Sequence, residues 1–160
     1  MQAMGNTSAA SYYAARAAAN LNGLNSMWMA ANGTWAVYKD GIGRLIGPNF
    51  ATWYPDATSQ LFPVLYGALS PSDPRSVAVY NKFNSAWPGW PDLSFNAQDQ
   101  FPWVMITGAA AQMGNSARVN TYINNIQNKY VSKGFPWPWY NMEAGWFVRL
   151  NSYMAGKRPF

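Results

Sequence analysis

Residues 99–133 read DQFPWVMITGAAAQMGNSARVNTYINNIQNKYVSK, and a change of character halfway along this stretch decides the fold. After Asp99 the run to Met113 carries no charge and gathers small residues, Gly108 to Ala111. Such a composition predicts a helix packed closely on several sides. Gly114-Asn115 ends it. From Ser116 to Lys133, Val119, Tyr122, Ile123, Ile126 and Tyr130 recur at helical spacing while Asn and Gln cover the other face. That pattern predicts a second helix with one side in solvent.

The same alternation of outer and inner helices extends in both directions. Thr7 to Ala31 predicts a long outer helix, capped by Thr7 or Ser8, with Tyr13, Ala17, Leu21, Leu24 and Trp28 as its stripe. Asn32-Gly33 closes it. Thr34 to Tyr38 and Arg44 to Ile46 flank Asp40-Gly41-Ile42-Gly43, which predicts a small β-hairpin. About Pro55 to Leu69 reads as an inner helix, with Pro63 marking either a kink or a later true start. Ser72-Asp73-Pro74 opens a third helix carrying Val77, Tyr80, Phe83 and Trp87 on one face. The aromatic stretch after Gly134 leads into a sixth, about Tyr140 to Met154, with Trp146, Phe147, Leu150 and Tyr153 inward. The fold class predicted is all-α: three helical hairpins in series with a small β-hairpin insertion, in one domain spanning residues 1–160.

Composition narrows the chemistry. The chain has no cysteine and no histidine. Thiol nucleophiles, disulfides, Ser-His-Asp catalysis and the usual zinc sites are thereby excluded, and no metal or cofactor is called for. The net charge of +5 comes from scattered Lys and Arg, with Lys157-Arg158 adjacent. Nucleic acid requires a clustered basic stripe, so it is not the expected partner. No apolar run approaches the length of a membrane span. Low charge with abundant Asn, Ser, Thr and Trp points to a secreted or periplasmic protein. Met1-Gln2-Ala3-Met4 lacks a basic and apolar leader, so a signal peptide is expected to have been removed or never present.

The chain contains only six acids, and three of them share one setting. Asp56 follows Trp53-Tyr54-Pro55; Asp99 precedes Gln100-Phe101-Pro102-Trp103; Glu143 follows Trp137-Pro138-Trp139-Tyr140-Asn141-Met142. Each stands near the start of a predicted inner helix, so all three should open onto one face. Trp and Tyr there offer flat apolar surfaces on which pyranose rings stack. Trp53, Tyr54, Trp87, Trp90, Trp103, Trp137, Trp139, Tyr140 and Trp146 are the candidates for that contact, with Gln60 as a hydroxyl partner.

Trp53 to Pro63, Phe101-Pro102-Trp103 and Glu143-Ala144-Gly145-Trp146 together resemble the later half of the α/α-toroid, or six-hairpin, glycoside hydrolases, a class that includes cellulase-like enzymes. The likeness covers about Ala9 to Ala155. It implies a sugar ligand and a cleft role for Asp56, Asp99 and Glu143. It also favours inverting hydrolysis, with Glu143 as acid and Asp56 or Asp99 as base. A full toroid has six hairpins and this chain offers three, so it is a fragment, pairs with another chain or copy, or is a reduced form. Each acid also has a plainer reading. Asp56 and Asp99 would cap helix starts, and Glu143 would pair with Arg149 or another basic residue. A non-catalytic carbohydrate-binding or self-associating protein is the alternative to an enzyme.

Overall fold

The computed structural model describes residues 5–90, 103–129 and 141–157. Within it the chain gathers into two compact units, Met1–Pro48 and Asn49–Phe160. The described residues are mostly helical, with small two-stranded hairpins inserted.

The first unit begins with α1, Thr7–Asn25. Its cap is Asn6, one residue earlier than predicted, whose side-chain oxygen accepts the Ala9 N–H at 3.0 Å. The helix also stops short of the expected Ala31. Trp28 is drawn into a strand instead: β1 (Trp28–Met29) pairs antiparallel with β2 (Thr34–Trp35). The opposed rings of Trp28 and Trp35 lie 4.7 Å apart, and this cross-strand aromatic pair outweighs the helical spacing of Trp28. Gly33 turns the hairpin at φ +63°, a conformation that favours glycine. The predicted hairpin follows, as β3 (Tyr38–Lys39) and β4 (Leu45–Ile46). The insertion is therefore two hairpins rather than one. The predicted α1 stripe is not buried: Tyr13 and Leu21 are exposed, and no residue of the helix is buried.

In the second unit, residues 55–69 follow the later of the two predicted helix starts. A continuous helix does not form. Tyr54 is extended (φ −126°, ψ 138°), as sterics before a proline favour, and a wide turn spans Trp53–Ala57. A short α2, Phe62–Leu65, begins only near Pro63, which occupies its first turn. Next comes α3, Pro74–Ala86, which opens within the predicted Ser72-Asp73-Pro74 and takes Asp73 as its cap. It buries Ser76, Val79, Tyr80 and Phe83, while Val77 lies on the exposed side instead of the core stripe.

α4 (Trp103–Gln112) is the centre of the unit and packs against α2, α5 (Ser116–Lys129) and α6 (Asn141–Met154). Every residue from 106 to 111 is buried. Gly108 permits the close approach: a Cβ there would sit 2.5 Å from Trp146 Cζ3 and 2.8 Å from Leu65 Cδ1. The stop between α4 and α5 is a two-residue device. Gly114 (φ +71°) allows the Asn115 N–H to reach back to the Ala110 carbonyl at 2.8 Å, and the Asn115 side chain accepts the Arg118 N–H. The predicted α5 stripe of Val119, Tyr122, Ile123 and Ile126 is buried, and Tyr130 lies outside the described residues. On α6, Leu150 is fully buried, whereas Trp146, Phe147 and Tyr153 are half-buried.

Candidate functional site

Three carboxylate side chains are described, and their surroundings differ. Asp40 closes the β3–β4 turn. Its Oδ1 accepts the N–H groups of Ile42 and Arg44, and its Oδ2 takes the Arg44 guanidinium at 2.7 Å. Asp73 caps α3 by accepting the Arg75 N–H at 2.8 Å, and pairs with the Arg75 guanidinium at 2.8 Å. The Arg75 guanidinium, then, holds the Asp73 carboxyl below the usual carboxylate range. That contribution to stability is full above the ordinary range and is lost as pH falls through the lowered folded value.

Asp56 has no arginine partner among the described residues. Its Oδ2 accepts the backbone N–H of Asn49 at 2.7 Å. Two further bonds tighten the loop between them, Thr52 N–H to the Asn49 carbonyl and Ala57 N–H to the Thr52 carbonyl. The Tyr54–Pro55 peptide inside this turn is cis. One carboxylate oxygen thus ties the loop, and the carboxylate stands half-buried at its bend.

The two aromatic residues beside Asp56 point in different senses. Trp53 is 3% exposed, with ring centroids 5.5 Å from Phe83 and 5.3 Å from Trp87. Tyr54 is 46% exposed. Gln60 is buried, so of the predicted sugar contacts on this turn only Tyr54 presents its ring to solvent. The Thr58 hydroxyl is buried without a hydrogen-bond partner among the described residues.

Behind the turn, Phe83 meets Trp90 edge-on at 5.5 Å. Trp90 is 1% exposed; its indole N–H donates to Asn84 Oδ1 at 2.9 Å. Arg118 donates to the Trp90 carbonyl and lies over the Trp90 ring, 5.1 Å from its centroid. Nearby, Asn115 Nδ2 donates to the Tyr80 hydroxyl at 3.0 Å. Burial pushes the Tyr80 phenol up and the Arg118 guanidinium down.

Asp99, Trp137, Trp139 and Tyr140 lie outside the described residues. Trp103 opens α4 and Glu143 stands in the first turn of α6. Trp146 is half-buried against the Gly108 backbone, with Arg149 over its ring at 4.7 Å. Sequence reasoning did not single out Phe62 and Tyr66, whose rings meet at 5.7 Å with Tyr66 62% exposed. Their i, i+4 spacing was the available signal. It also missed Asn49, because a backbone donor leaves no mark in side-chain identity. Among the described residues, no cluster of His, Cys, Asp or Glu is suited to hold a metal.

Chemically, the Asp56 turn offers a hydrogen-bond acceptor beside a flat, half-exposed phenol ring. No family model, curated protein or solved structure matches the chain.

Proposed function

We propose that the protein binds a polysaccharide or oligosaccharide at the face around Asp56. In this reading it is a secreted or periplasmic relative of half an α/α toroid, completed by another chain or copy. The observation that carries it is the contrast between carboxylates: Asp40 and Asp73 are neutralised by neighbouring arginines, whereas Asp56 is tied by a single backbone N–H. A carboxylate left in that state accepts sugar hydroxyls, and Tyr54 beside it supplies a ring for stacking.

Cleavage needs a second carboxyl group. Glu143 would act as acid with Asp56 or Asp99 as base, separated by about 6.5–9.5 Å for inversion. Trp103, Trp139, Tyr140 and Trp146 would line the rest of the cleft.

The test is calorimetric binding across a panel of soluble polysaccharides, with reducing-end release measured in parallel. Wild type is expected to bind at least one glycan. Asp56→Asn and Tyr54→Ala should each weaken that binding about tenfold, equivalent to about 1.4 kcal/mol. Wild type that binds nothing in the panel, or variants that bind unchanged, overturn the reading. Binding with reducing-end release that Glu143→Gln abolishes identifies a hydrolase; binding without release identifies a non-catalytic carbohydrate-binding protein.

A further inference from the structure

Arg118 is a half-buried cation with no acidic partner among the described residues. Burying a charge without an opposite charge is unfavourable, and an apolar side chain of similar volume would serve packing alone at least as well. What the guanidinium does, and an apolar chain cannot, is fix a main-chain acceptor. It donates to the Trp90 carbonyl while its Cζ lies over the Trp90 ring. Asn84 holds the side chain of the same residue by accepting its indole N–H. Trp90 is therefore pinned at both its backbone and its side chain.

From Trp90 the rings run without a gap toward the candidate site. Phe83 stands edge-on to Trp90, Trp53 is tilted on Phe83, and Trp87 closes on Trp53 edge-on. Trp53 is the first residue of the turn that carries Asp56. Rings packed at these separations have few alternative arrangements, because interiors are close-packed and a displaced ring has no vacant space to enter.

We propose that Arg118 is a positioning residue for the Asp56 turn, acting through Trp90, Phe83 and Trp53 rather than through any contact of its own. The proposal concerns the same face as the carbohydrate reading, and its effect on affinity rests on that reading. Its effect on Trp53 does not.

The experiment follows the indole N–H resonances of Trp53 and Trp87 by NMR in the ligand-free chain, and glycan affinity in the same samples. Arg118→Met keeps an unbranched apolar stem and removes the guanidinium. It is expected to displace the Trp53 and Trp87 resonances and to lower glycan affinity by about 2- to 30-fold, the span of indirect coupling effects. Should Arg118→Met fail to fold, Arg118→Lys is read by the same resonances. An ammonium cannot cover the ring with a plane while donating to the carbonyl, so displacement of Trp53 is again expected. A folded variant of either kind whose Trp53 and Trp87 resonances match wild type overturns the proposal. Displaced resonances in a protein whose wild type binds no glycan support the positioning role and sink the carbohydrate reading alone.

Discussion

α1 and α4 are built from the same small residues and live in opposite surroundings. In α1, Ala9, Ala10, Ala14, Ala15 and Ala17 to Ala19 lie on a 19-residue helix that buries nothing, bordered by Tyr12 and Tyr13 at 59% and 56% exposure. A shallow depression along Thr7, Ala10, Ser11 and Ala14 marks how little projects from it. In α4, Gly108 to Ala111 sit in the middle of the second unit with no exposed member. Alanine does different work in the two. In α1 it supplies intrinsic helix propensity, which a helix without a buried face depends on. In α4 it supplies thinness, letting α2 and α6 approach the backbone.

On that contrast, the largest response comes from deleting volume beside the α4 alanines. Ile106 is fully buried, and Ile106→Ala should cost about 2–5 kcal/mol of unfolding free energy, read as a lower denaturation midpoint in urea. The next effect is Gly108→Ala. The added methyl meets Trp146 and Leu65 well inside contact distance, so a loss of about 1–3 kcal/mol is expected in the same titration. The smallest effect has the opposite sign. Gly23 lies inside α1, and a Cβ there meets nothing within 4 Å. Gly23→Ala should stabilise by about 0.4–1 kcal/mol, by restricting the unfolded chain and improving helix propensity. One substitution type with two signs is the sharpest form of the comparison; like signs at Gly23 and Gly108 would break it.

The parts of the fold legible in the sequence were those written in local chemistry. Asp73-Pro74 marks a helix start through a cap and a preset φ, and Gly114-Asn115 marks a stop through a positive φ. The α5 stripe was legible because an amphipathic face is periodic. The burial of Gly108 to Ala111 was legible from absent charge. What was not legible depends on partners distant in sequence or on aperiodic backbone. Trp28 fits a helical stripe as well as it fits a strand, and only pairing with Trp35 decides. Once Tyr54 is extended, helical spacing no longer says which way Trp53 and Gln60 face, and both turn inward. For the candidate site, Asp56 and Tyr54 were identifiable as types in a setting. The tie from Asn49 was not, since any residue but proline carries that donor.

The tryptophan pairs described above make each unit its own optical label. Trp28 and Trp35 meet at 4.7 Å in the first unit, and Trp53 and Trp87 at 5.3 Å in the second. Indoles this close, and inclined at 60° and 81°, mix their electronic transitions into paired circular-dichroism bands of opposite sign. Such a couplet vanishes once the rings separate, whatever the helix content. Replacing Trp28 silences one label and replacing Trp87 the other, so the melting of each half can be followed by colourless spectroscopy with no dye attached.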